Sequence, residues 1–241
     1  MKCAIHQPQF LPWLGYLDKI ASSDVFVFLD NVQFKKNEFQ NRNRIRVGSE
    51  PKWLTVPVSF NFGDTIRATR IADDPRWRKK MSSTIEFNYS RTPFFGKYSS
   101  KLFDICNHDW ADLATLNQAT VLWLMECFEI PVKTLVCSEL PDFSQDPTRR
   151  LIDICRHVGA DTYLSGSGAR EYLDMDSFKD SGITLEFQDY LHPVYPQCYT
   201  DGRKVTDFMS HLSAIDGLFN CGGGSAGKEI LNIKRGKDSS Q

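Results

Sequence analysis

The spacing of apolar residues changes twice near the start of the chain. Residues 2–5 form a short apolar run, followed by a polar stretch with Pro8 and Pro12. From residue 13 to 23, Trp13, Leu14, Leu17, Ile20 and Ala21 recur at helical spacing, with Pro12 placed to open the helix. Residues 25–29 (VFVFL) are then apolar without interruption, as in a strand buried on both faces of a parallel sheet. Strand, helix, strand is a βαβ unit, and open α/β sheets bind ligands in the loops at the carboxyl ends of their strands. The first such loop carries His6, Gln7, Pro8 and Gln9; the second carries Asp30, Asn31 and Gln33.

The same logic returns later. Residues 39–47 begin polar and basic and turn strand-like, and residues 52–58 alternate, with Pro57 marking an edge. Residues 75–91 and 109–130 read as helices, the second with Asp109 as its N-cap. Asp146-Pro147 opens a helix whose apolar stripe is Leu151, Ile152, Cys155 and Val158, and Gly159 closes it. Residues 161–164 form a strand. Ser165-Gly166-Ser167-Gly168 then turns into a short helix, and residues 183–187 are a further strand. The expected fold is a single α/β domain over residues 1–221, a mostly parallel sheet flanked by helices, with a loosely ordered tail over 222–241.

Composition narrows the function classes. The 241 residues are 41% hydrophobic and 24% charged, ordinary for a globular domain, so disordered and fibrous classes are excluded. A formal net charge of −1 argues against a dedicated nucleic-acid binder. No apolar run is long enough for a membrane span, and Gln, Pro and His interrupt any secretion-signal core in MKCAIHQPQF. The seven cysteines are scattered, with no C-x-x-C pair, so free thiols in a reducing cytoplasm are expected and a zinc site is not.

Several groups of residues could carry chemistry. His6 and Asp30 lie at adjacent strand ends and suit a base and its orienting or hydroxyl-binding partner, with Gln7 and Gln33 beside them. Asn41-Arg42-Asn43-Arg44 offers guanidinium forks and amides suited to phosphates. Gly166, Ser167 and Gly168 sit between a strand and a helix, where small residues allow a ligand close approach. Tyr190, His192, Tyr195 and Gln197, on a proline-ordered loop, could wall a sugar pocket. Residues 222–228 (GGGSAGK) fit G-x-x-x-x-G-K, but Glu229 follows where Ser or Thr would bind magnesium, and the run follows a helix-like segment, so no P-loop is expected.

Taken together, these motifs resemble the WbqC-like family. HQPQFLPWLGYLDKIASSDVFVFLDNVQFKKNEFQNRNRI resembles its N-terminal signature. The likeness continues through WLTVPV, Trp77, Tyr89-Ser90, RLIDIC, TYLSGSGAREYLD, GITLEFQDYLHPVYPQ and LSAIDGLFN. Gly217 departs from it, standing where a bulkier residue is usual. The resemblance implies a place in bacterial O-antigen and surface-polysaccharide synthesis, and glycine transfer to an amino sugar for some members. By motif it marks His6, Gln7, Pro8, Asp30, Gln33, Asn41, Arg42 and Asn43, then Gly166, Gly168, Tyr172, His192, Pro193, Tyr195 and Gln197, without assigning roles. A looser likeness is to nucleotidylyltransferase-like α/β folds. Their first loop carries H-x-G-H, whereas here Gln7, Pro8 and Gln9 follow His6 and the second histidine is missing.

The expected function is therefore acylation or aminoacylation, such as glycyl transfer, of the amine of a nucleotide-linked amino sugar, with an acyl or aminoacyl carrier as a candidate partner. His6 is the expected base. The alternatives are an ATP-dependent nucleotidyl-transferring or activating enzyme and a non-catalytic scaffold of the same pathway. The sequence points to no particular cofactor and no metal.

Overall fold

The computed structural model describes residues 1–171 and 173–231. Its centre is a five-stranded parallel sheet of β1 (Lys2–His6), β2 (Val25–Phe28), β7 (Lys133–Val136), β8 (Thr162–Ser165) and β9 (Thr184–Phe187), in the order β7-β2-β1-β8-β9. β1 is the middle strand: Cys3 faces Val25 on one side and Tyr163 on the other. β2 is the VFVF run, buried at every position.

Alternation along the strands sorts the core into two layers. Ala4, Phe26, Phe28 and Leu164 point into a large cluster with α1 (Leu14–Ala21), α2 (Arg76–Tyr89), α3 (Phe95–Asn107), α4 (Leu113–Cys127), α7 (Ala214–Cys221) and α8 (Gly224–Leu231). Cys3, Ile5, Val25, Val27 and Tyr163 point the other way, onto α5 (Pro147–His157) and α6 (Met175–Ser181). Helices therefore cover both faces, which is why β2 can be apolar throughout. Between β2 and α2 the chain forms an antiparallel hairpin, β3 (Arg42–Val47) and β4 (Glu50–Thr55), and a short pair, β5 (Val58–Ser59) and β6 (Arg70–Ile71).

Two local expectations change. Asp112, not Asp109, caps α4 by accepting a hydrogen bond from the Thr115 N–H, while Asp109 is exposed and pairs with Arg78. The stretch after Gly222, expected as a loose tail, is ordered as far as Leu231: α8 buries Ile230 and Leu231, and residues 232–241 lie outside the described residues. The glycines of GGGSAGK serve packing. A Cβ on Gly223 would lie 1.9 Å from the Cys127 carbonyl oxygen, and one on Gly227 2.5 Å from the Phe128 ring. Gly217 lies where α7 meets Ile230 of α8 and Leu14 of α1, so a larger residue there would have to displace one of them.

Candidate functional site

Counting only the parallel strands, β1, β2, β7, β8 and β9 are first to fifth, and their spatial order is 3-2-1-4-5. The chain moves outward from β1 in one direction and then, from β8, in the other. Such a reversal opens a crevice at the carboxyl ends of the two strands that flank it, the usual ligand site of open α/β sheets. The flanking strands are β1, ending at His6, and β8, ending at Ser165. A cavity of about 210 Å³ lies here, lined by His6, by Trp13, Gly15, Tyr16 and Lys19 of α1 and its cap, by Gly166, Ser167 and Gly168, and by Gln188 and Tyr190.

Each wall has a local cause. His6 ends β1, and its Nδ1 lies 3.0 Å from the Gln7 carbonyl oxygen; in the tautomer with the proton on Nδ1, Nε2 is left as an acceptor. Burial first, and the Lys19 charge second, push the His6 pKa down to about 3, so the ring is neutral at physiological pH. Lys19 is only 3% exposed, because α1 is buried on nearly all sides. Its ammonium donates to the Ile5 carbonyl oxygen at 2.9 Å and has no salt bridge among the described residues. Burial without a counter-ion pushes its pKa down to about 7. Its sequence neighbour Asp18 is occupied elsewhere, accepting from the Gln188 amide at 2.6 Å. Tyr16 donates its hydroxyl to the Gln7 carbonyl, and the Tyr190 hydroxyl is buried without a hydrogen-bond partner.

Trp13 supplies a flat apolar wall. Its indole lies over Gly15, where a Cβ would come within 2.3 Å of the ring. On other sides it meets the Tyr190 edge at 5.3 Å, and His211 and His192 stack on it at 5.3 and 6.3 Å.

Of the residues singled out from sequence, the structure brings His6 together with Gly166, Ser167, Gly168 and Tyr190. The others lie elsewhere. Asp30 is fully buried and accepts from the Ser138 N–H and hydroxyl at 2.9 and 2.6 Å, with Arg67 at 3.8 Å; it holds the turn after β7 and does not line the His6 cavity. Gln7 accepts from Gln40 at 2.7 Å. Gln33 is exposed and bridges to Thr65.

Arg42, Asn43 and Arg44 are not in a loop but begin β3, and Asn41 immediately precedes it. Asn41 donates to the Val56 carbonyl. Asn43 is buried and donates to the Leu11 carbonyl at 2.8 Å, helping to hold Leu11 at φ +42°. Arg42 bonds the Asn37 carbonyl and stacks 4.1 Å over Trp53. Tyr195 and Gln197 belong to the core. Asp216, fully buried, accepts from Tyr89, Tyr195 and Gln197 at 2.9, 2.9 and 2.8 Å, and Arg46 donates to Gln197 at 3.1 Å. His192 stands behind the cavity, its Nε2 accepting from the His211 N–H at 3.1 Å. Tyr172 lies outside the described residues.

Lys19, Trp13 and Gln188 were not among the candidates that the sequence offered, whereas Tyr190 was, as part of a pocket wall. Lys19 left one faint signal: it sits between Leu17 and Ile20 on a helix apolar on both sides of it. Among the described residues, no group of three or more His, Cys, Asp or Glu side chains could hold a metal ion. No described helix is long and apolar enough to cross a membrane. The seven cysteines are free.

The model of the WbqC-like protein family matches residues 7–227. The chain is 32% identical over 226 residues to the uncharacterized protein Rv1507c of Mycobacterium tuberculosis, spanning 92% of this chain and 94% of that protein. No solved structure matches.

Proposed function

The chain belongs to the WbqC-like protein family, and from that membership we propose a transferase of bacterial surface-polysaccharide precursor synthesis, one that acylates or aminoacylates the amine of a nucleotide-linked amino sugar. The observation that carries the reading is the cavity at the strand-order reversal, whose lining includes both His6, unprotonated at neutral pH, and the Trp13 indole. An aromatic wall suits a sugar ring. A neutral imidazole suits an amine that must lose a proton.

The amine nitrogen attacks the acyl carbonyl, an N–C bond forms, and the donor's leaving group departs. The nitrogen becomes far more acidic as that bond forms, and in the tautomer with the proton on Nδ1, His6 Nε2 is the acceptor for that proton. The low pKa of His6 changes its expected role: it starts as a hydrogen-bond acceptor that orients the amine, and serves as a base only once the bond is forming. Asp30 takes no part in this reading, since Ser138 occupies it.

A second reading, nucleotidyl transfer from ATP, is favoured by the 3-2-1-4-5 strand order with a small-residue turn after the fourth strand. One experiment separates the two. The protein is incubated with a UDP-linked amino sugar and, in turn, coenzyme A thioesters or glycine with ATP and magnesium, and the products are read by mass spectrometry. An acylated or glycylated nucleotide sugar, with His6→Ala lowering turnover far more than binding, supports the transferase. A nucleotidylated product with pyrophosphate release supports the second reading and overturns the first.

A further inference from the structure

We propose that this cavity contains a phosphate subsite, in which the Lys19 ammonium holds an anionic phosphate group of the nucleotide-linked substrate. The inference deepens the proposed function and rests on it for the identity of the substrate, but the subsite itself stands on geometry.

The cavity wall carries the Lys19 cation and no Asp or Glu side chain. An ammonium has three N–H donors. At Lys19 one of them reaches the Ile5 carbonyl oxygen, and no other acceptor is bonded to it among the described residues. A buried cation without a carboxylate is costly to the fold. It is explained if an anion completes the site. Gly166 and Gly168 line the same cavity, and a Cβ on either would meet nothing within 4 Å, so the turn leaves open space there. Ser167 adds a hydroxyl to that lining. Arg42 and Arg44, the cations that composition favoured for this task, are both within reach of the Trp53 ring on the β3–β4 hairpin instead, at 4.1 and 5.6 Å.

The electrostatics agree. Lys19 faces the His6 imidazole and the Cys3 thiol from β1 and the Tyr163 ring, 6.0 Å away, from β8. From beyond β9 it faces the neutral Gln188 amide, which also engages Asp18. With its pKa pushed down to about 7, Lys19 is partly deprotonated at neutral pH. An anion beside it favours the ammonium, so binding takes up a proton.

The test is calorimetric titration of the full chain with inorganic phosphate, pyrophosphate, UDP, a UDP-linked amino sugar and the free amino sugar, at pH 8 in buffers of different ionisation enthalpy. UDP and its sugar conjugate are expected to bind wild type with net proton uptake. Lys19→Met should weaken both at least tenfold and abolish the proton uptake. Gly166→Asp, which puts a carboxylate into open space, should weaken them more than Gly166→Asn does. Equal affinity in wild type, Lys19→Met and Gly166→Asp overturns the subsite while leaving the transferase reading standing. UDP bound through Lys19, with no gain from the attached amino sugar, supports the subsite and removes the proposed acceptor. Binding of inorganic phosphate and pyrophosphate as tight as that of UDP supports the subsite and makes a simple phosphate ester its ligand. No binding by any probe overturns both.

Discussion

Lys19 and His6 share one cavity, and the charge of the first helps keep the second unprotonated. The consequence for stability follows from proton counting. An unfolded chain protonates His6 as pH falls through about 6.5. The folded protein does not protonate it until about pH 3. The unfolded state therefore binds more protons in that window, and the folded state loses stability as pH falls, by at most about 1.4 kcal/mol per pH unit. Urea denaturation at pH 7, 6 and 5 should show a slope that is shallower in His6→Gln. Equal slopes in the two proteins would mean that the folded ring titrates normally.

Lys19 predicts the opposite side of the pH scale. Its pKa falls from 10.5 to about 7 on folding. Between those values the unfolded chain holds the proton more tightly, so stability rises with pH from about 7 towards 10.5. Below pH 7 the full cost of the buried charge is present. Lys19→Met should therefore raise stability by on the order of 1 kcal/mol at pH 7, with the gain shrinking towards pH 10. Melting curves of both proteins across that range check it; a destabilised variant at pH 7 would show the ammonium to be well solvated.

The Asp216 cluster separates structure from binding. Asp216→Ala leaves Tyr89, Tyr195 and Gln197 without their shared acceptor in the core, and should cost about 3–5 kcal/mol. Tyr195→Phe removes one of these bonds and should cost about 1–2 kcal/mol while leaving ligand affinity unchanged. A raised Kd for the UDP-linked amino sugar in folded Tyr195→Phe would return Tyr195 to the binding site.

Trp13 can be moved without being mutated. A Cβ at Gly15 would sit 2.3 Å from the indole, so Gly15→Ala forces the ring off the cavity wall. Ligand affinity should fall at least tenfold, and the tryptophan emission should shift as the ring leaves its stack with His211. Unchanged affinity would show that the ring contributes no contact.

The parts of this fold legible in the sequence are those where local pattern and tertiary role coincide. β2 is apolar at every position because both its faces are covered, and α1 beside it is periodic. α5 is announced by an aspartate cap, a proline in its first turn and Gly159 at φ +75°. β7 was not legible: four residues, KTLV, at an edge of the sheet, carry too little pattern. α3 starts after Thr92-Pro93 and was hidden because its buried face mixes Tyr98 and Ser99 with Leu102 and Ile105. In the site, His6 and Gly166, Ser167 and Gly168 could be read because strand ends are where ligands go. Asn43 and Gln197 misled because a buried amide that holds a backbone carbonyl has the same sequence signature as one that holds a ligand. Lys19 was missed for the converse reason: a lysine on a helix ordinarily belongs to its solvated face.

The central place of β1 also has a meaning in time. It is made first, yet its partner on one side, β8, follows some 160 residues later, with Lys2 opposite Thr162. The cavity between them is assembled from residues 6, 13–19, 166–168 and 188–190, so none of it exists until most of the chain has been synthesised. During translation β1 waits with one edge unsatisfied, open to the wrong strand. β8 closes that edge, and a ligand that bound only the assembled crevice would favour the paired state, tying its supply to the yield of folded protein.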